Sequence, residues 1–68
     1  MKMNIEFLLK KIREERGMSL NKLSERSGIS ASHINDIERS YKMPSLFVMV
    51  KLAKALDVNI TELYKVKW

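Results

Sequence analysis

The stretch Leu20-Asn21-Lys22-Leu23-Ser24-Glu25-Arg26-Ser27-Gly28-Ile29-Ser30-Ala31-Ser32-His33-Ile34-Asn35-Asp36-Ile37-Glu38-Arg39 decides how this chain folds. Two short helices that cross steeply must touch at fixed intervals, and this stretch supplies those contacts in order. Ser19 is placed to cap a helix over Leu20–Ser27, and Gly28 closes it at a position where a left-handed residue costs least. Leu23 points inward, and Ser24 beside it is small enough for a second helix to come close. Ile29 plugs the gap beneath the turn. Ser30 then caps a helix over Ala31–Arg39, anchored by Ile34 and Ile37, three residues apart on one face. Its outward positions are Ala31, Ser32, His33, Asn35, Asp36 and Arg39, a largely polar set. The spacing predicts a helix-turn-helix over residues 20–38, with one side of the second helix held by the protein and the other free.

Working outward, Ile5, Leu8, Leu9 and Ile12 recur at helical spacing and predict a first helix from about Ile5 to Arg16, capped by Asn4 and ended at Gly17. Ser40-Tyr41-Lys42-Met43-Pro44 reads as a loop, since Pro44 biases Met43 away from helical dihedrals. Ser45 caps a fourth helix over Leu46–Leu56, whose inner stripe is Leu46, Met49, Leu52, Ala53 and Leu56. After a break at Asp57-Val58, Asn59 and Glu62 have capping-box spacing, which predicts a short fifth helix over Ile60–Tyr64. The tail, residues 65–68, is expected to fray, with Trp68 able to fold back on the core. The expectation is an all-α, compact five-helix domain over residues 4–64 with no room for a sheet.

The bulk numbers fit that picture. With 68 residues there is room for one small domain. A hydrophobic content of 46% is enough for a helical core and too high for a disordered polycation. The absence of cysteine excludes disulfides and thiolate metal sites, and the single histidine leaves no metal set. The longest apolar run, Leu46–Val50, is far below the roughly 20 residues a membrane span needs. Met1-Lys2-Met3-Asn4 lacks a signal-peptide signature, so a cytoplasmic, membrane-free protein is expected. A net charge of +5 favours a polyanionic partner.

Taken with Met18-Ser19 before it, the 20–39 stretch resembles the lambda-repressor-like helix-turn-helix family (Cro/C1 type, xenobiotic-response-element). The resemblance continues through Pro44-Ser45-Leu46 and through Leu52-Ala53-Lys54-Ala55-Leu56-Asp57-Val58-Asn59-Ile60-Thr61-Glu62-Leu63, so it covers Ile5 to Tyr64. It implies a five-helix fold that usually binds operator DNA as a dimer and represses or activates transcription, and a repressor acting as a homodimer is expected here. It further implies a partly buried ion pair between Arg13 and Glu38, and dimer contacts through Val58, Asn59, Ile60 and Thr61. Two positions depart from the family pattern. Leu20 stands where relatives often carry a glutamine that bridges phosphate to the recognition helix, and Ser40 stands where they commonly carry glycine.

If the 31–39 helix enters the major groove, Ala31, Ser32, His33 and Asn35 come closest to the bases, with Asp36 and Arg39 further along. An asparagine amide at 35 suits adenine, a serine hydroxyl at 32 donates or accepts, and Ala31 suits a thymine methyl. His33 is either a donor to guanine or phosphate or a solvated surface residue. Asp36 belongs near DNA only when paired with Arg39 or accepting from cytosine. Phosphate contacts are expected from Ser19 and the Leu20 amide, from Ser45, and from the flanking Lys22, Tyr41 and Lys42.

Phe47, Val48 and Val50 add apolar surface beyond the inner stripe of the fourth helix, as Phe7 and Leu8 do on the first. Either a dimer partner covers the excess or it stays exposed. Nothing pairs a nucleophile with an oriented base, so enzymatic activity finds no support. The competing function is a protein-interaction module, such as an antitoxin or a partner-controlled adaptor. With few residues after Tyr64, any signal is expected to act through abundance, a regulatory protein partner or competition for the site.

Overall fold

Three serines set where helices begin. Ser19 Oγ accepts a hydrogen bond from the Lys22 amide at 3.0 Å, Ser30 Oγ from the His33 amide at 3.1 Å, and Ser45 Oγ from the Val48 amide at 3.1 Å. Each satisfies a backbone donor that a helix leaves unpaired at its first turn. The computed structural model describes residues 3–67. Its elements are β1 (Asn4–Phe7), α1 (Leu9–Glu15), α2 (Leu20–Ser27), α3 (Ala31–Glu38), α4 (Leu46–Leu56), a 3-10 turn at Ile60–Glu62, and β2 (Tyr64–Lys67).

The α2–α3 turn follows the reading of its residues. Gly28 adopts φ +75°, a left-handed conformation, and its amide donates to the Ser24 carbonyl. A Cβ at Gly28 would meet nothing within 4 Å, so glycine is needed there for its dihedral and not for space. Leu9, Leu23, Ile34, Ile37, Leu52, Leu56 and Leu63 form the fully buried centre, with Met49 and Ala53 beside them. At roughly 1.5–3 kcal/mol per buried aliphatic side chain, this cluster is the main force holding α2, α3 and α4 together. Ile12, Ile29 and Val48 pack against it while half-buried. No helix among the described residues is long and apolar enough to cross a membrane.

Both ends of the chain differ from the five-helix expectation. The expected first helix divides: α1 begins at Leu9, and Asn4–Phe7 is instead a strand paired antiparallel with Tyr64–Lys67. Ile5 faces Val66 and Phe7 faces Tyr64 in the register. The apolar residues of both strands therefore share one face, because side chains alternate along a strand. On the opposite face Lys67 Nζ lies 2.9 Å from Glu6 Oε1. The Leu8 amide donates to the Leu63 carbonyl at 2.8 Å, extending the pairing to the start of α1.

Asn4 is consequently no helix cap, and Leu8 begins α1 without a side-chain cap. The expected fifth helix contracts to a single 3-10 turn. Its capping box is present, with the Asn59 amide donating to Glu62 Oε2 at 2.8 Å and Asn59 Oδ1 accepting from the Thr61 amide at 3.1 Å. Tyr64 leaves that turn for β2, and residues 65–67 are paired where fraying was expected. Trp68 lies outside the described residues. Leu46, assigned to the inner stripe of α4, is 74% exposed, so that stripe starts at Met49. Helix α3 ends at Glu38, with Arg39 as its C-cap.

Candidate nucleic-acid interface

Helix α3 is fixed at two places, along its inner face and at its C-terminal end. Ile34 and Ile37 bury its inner face. At its C-terminal end, Glu38 meets Arg13 of α1: Arg13 Nε donates to Glu38 Oε2 at 2.7 Å and Nη2 donates to Oε1 at 3.2 Å. A third bond from Arg13 Nη1 to the Met18 carbonyl, 2.8 Å, ties the same guanidinium to the segment leading into α2. The side chains are 10% and 3% exposed. The Glu38 hydrogen bond raises the Arg13 pKa above its ordinary value, against the opposing effect of burial. A two-pronged grip of this kind sets an angle as well as a distance, so it orients α3 relative to α1 and α2.

The outer face of α3 sorts the sequence-derived candidates. Ser32 and Arg39 are exposed, whereas Ala31, Asn35 and Asp36 are half-buried on the flanks. His33 is half-buried, and its Nε2 is sealed from solvent with no hydrogen-bond partner among the described residues. The ring therefore turns inward, and that nitrogen is not presented to a ligand at the surface. Asp36 pairs with Lys42, Nζ to Oδ2 3.8 Å, and not with Arg39. The Asp36 carbonyl also accepts from the Tyr41 amide at 2.8 Å, which holds the loop after α3 against the helix.

That loop contains Ser40 at φ +62°, the left-handed turn that the family pattern serves with glycine. Tyr41 is 69% exposed, and Lys42 and Ser45 are exposed beside it. Ser19 and Lys22 are exposed at the start of α2, with Leu20 half-buried against the core. Ser30 and Asn21 are exposed at the first turns of α3 and α2 and were not among the contact candidates. Their signal was positional: each adjoins a helix start whose amides point outward. The dimer candidates divide, with Val58 and Ile60 half-buried against the core and Asn59 and Thr61 exposed. Among the described residues, no group of three or more His, Cys, Asp or Glu side chains is placed to hold a metal ion.

Comparison with known proteins bears on this arrangement. A family model described as helix-turn-helix matches residues 9–63. The HTH-type transcriptional regulator y4dL of Sinorhizobium fredii is 46% identical over 52 residues, which are 76% of this chain and 26% of that protein. SinR of Bacillus subtilis is 36% identical over 53 residues, 76% of this chain and 48% of the relative. The chain thus spans about a quarter to a half of the length of these relatives.

Among solved structures, the restriction-modification controller protein C.AhdI from Aeromonas hydrophila superposes with a TM-score of 0.77 at 35% identity, covering 79% of this chain and 82% of that one. SinR in complex with DNA superposes with a TM-score of 0.74 at 35% identity, covering 78% and 86%. The matched span contains all four helices and the Arg13–Glu38 clamp. The chain belongs to the lambda-repressor-like, Cro/C1-type helix-turn-helix family.

Proposed function

We propose that this protein is a DNA-binding transcriptional regulator that binds operator duplex as a homodimer, with α3 in the major groove, and acts as a repressor. The observation that carries this reading is the division of α3. Its inner face is held by Ile34, Ile37 and the Glu38 clamp, while exposed Ser32 and half-buried Asn35 stand on the other side. The solved complex of SinR with DNA supports it, since that chain shares the fold at 35% identity.

Ala31, Ser32, Asn35 and Arg39 are the base-contact set, with Asp36 shielded by its Lys42 pair and His33 acting mainly as a packing residue. Ser19, the Leu20 amide, Lys22, Tyr41, Lys42 and Ser45 make the phosphate contacts that position the helix. Val58, Asn59, Ile60 and Thr61 supply the dimer contact.

Selection from a randomised duplex library tests the proposal. The expected result is an inverted repeat whose half-sites lie about 10 base pairs apart, centre to centre, or a multiple of that spacing. Recovery of unpatterned sequences at all salt concentrations would exclude an operator-binding role.

A further inference from the structure

Helix α4 has more apolar surface than the core uses. Met49, Leu52, Ala53 and Leu56 point inward, yet Phe47 is 68% exposed and Val50 is 49% exposed. The same outward stripe continues into cations, because positions 47, 50, 51 and 54 fall at the i, i+3, i+4 and i+7 spacing of one helix face. Lys51 Nζ lies 4.8 Å from the centroid of the Phe47 ring, so the apolar half and the basic half abut. Across a shallow groove of about 490 Å³, Arg26 from the last turn of α2 faces Lys51 and Lys54, with Ser27 and Ala55 completing the lining. No acidic residue lines this groove, and none of its three cations joins an ion pair among the described residues.

Cations in the last turns of α2 and α4 complement the helix dipoles, which accounts for Arg26 and Lys54 singly. It does not account for Lys51 or for two large apolar side chains left in solvent beside them. We propose that this stripe and groove receive an acidic amphipathic helix of a partner protein. Its apolar residues pack on Phe47 and Val50, and its carboxylates pair with Arg26, Lys51 and Lys54. Charge complementarity selects this occupant over two others. A second copy meeting the stripe across a two-fold axis would bring two sets of three cations together with no acid between them. A phosphate backbone would satisfy the cations and leave Phe47 and Val50 without apolar contact.

The groove's cations come from the last turn of α2 and from the middle and last turn of α4, whereas Phe47 lies in the first turn of α4, two residues after Ser45.

Display selection of peptides of roughly four helical turns, on the intact chain, tests the proposal. Enriched sequences are expected to place Asp or Glu beside Leu, Phe or Trp at helical spacing. By fluorescence anisotropy, the Phe47→Ala variant and the Lys51→Glu/Lys54→Glu double variant should each bind a selected peptide at least about tenfold more weakly. The double variant should recover binding to a peptide whose acids are replaced by lysine. All three substituted residues lie outside the buried cluster, so the variants should remain folded. Phe47→Ala should unfold near the parent, and the double variant slightly lower, because an acid at position 54 opposes the dipole of α4.

Three results would each overturn the proposal. The first is enrichment without acids, or equal binding by parent and variants. The second is self-association of the chain lost on Phe47→Ala, which would make the patch a contact between copies. The third is displacement of the peptide by duplex DNA together with weaker duplex binding by these variants, which would make it a nucleic-acid contact.

Discussion

Glu38 holds the guanidinium of Arg13 with both carboxylate oxygens, at 2.7 and 3.2 Å, across a separation of 25 residues. This clamp joins α1 to the end of α3, and it predicts a split between stability and function. Removing one partner, as in Arg13→Ala or Glu38→Gln, leaves a desolvated group without its counter-charge and should cost about 3 kcal/mol in urea unfolding. Replacing both by apolar residues, Arg13→Met with Glu38→Leu, should restore most of that stability. Duplex affinity of the double variant should stay low, because the angle of α3 is no longer set. Full affinity in that variant would show that Ile34 and Ile37 suffice to orient the helix.

Ser40 is a non-glycine residue at φ +62°, in the loop that carries Tyr41 and Lys42. A left-handed conformation costs an L-residue about 1–2 kcal/mol relative to glycine, part of which glycine returns through its freedom when unfolded. Ser40→Gly should therefore stabilise the fold by up to about 1 kcal/mol, read as a shift in the denaturation midpoint. An unchanged or lower midpoint would mean that the Ser40 side chain contributes more than its backbone strain costs.

Asn35 and Lys42 should fail differently on DNA. Asn35→Ala should lose about 1–3 kcal/mol on the selected operator and relax the preference at one base position. Lys42→Ala should weaken all duplexes alike and lower the salt dependence by about one counterion. It also removes the partner of Asp36, 3.8 Å away, which leaves a carboxylate near the phosphates and adds to the loss. Equal discrimination by both variants would remove Asn35 from base recognition.

The β1–β2 ribbon should be sensitive to acid. The hydrogen bond from Lys67, followed by its charge, holds the Glu6 pKa below the ordinary value of 4.5. A group whose pKa is lower folded than unfolded stabilises the fold above the unfolded value and loses that effect as pH falls through the folded one. Exchange of the ribbon amides, followed by NMR, should accelerate as pH is lowered from neutral through and below 4.5, beyond the intrinsic change. Glu6→Gln should flatten that response. Persistence of the full response in the variant would assign it to another carboxylate.

The middle of the chain was legible because its signals are local. Ser19, Ser30 and Ser45 cap what their positions say they cap, Gly28 turns where it must, and the buried faces follow the helical period. The ends were not, because their signal is distant. Ile5, Leu8, Leu9 and Ile12 satisfy a helical period, and the competing two-residue alternation at Asn4–Phe7 is too short to outweigh it. Only the matching alternation at Tyr64–Lys67 decides the matter, and local periodicity cannot connect segments so far apart in sequence. The outward face of α3 was legible as a face but not in its rotation: the inward turn of His33 depends on how α3 sits on its neighbours. Likewise Leu46 fits the α4 period, yet at the first turn nothing lies beneath it to cover it.

The pairing of Asn4 with Lys67 has a kinetic and mechanical meaning. It makes the helices the contents of a loop drawn closed at its neck. Closing so long a loop is entropically costly until α2, α3 and α4 have already shortened it, so the ribbon is expected to zip after the folding barrier. Substitutions in β1 or β2 should then hasten unfolding while leaving the refolding rate almost untouched. Tension applied at the two ends would act on neighbouring residues of an antiparallel ribbon and peel it one pair at a time. The neck would open under a small force before any load reached the helices.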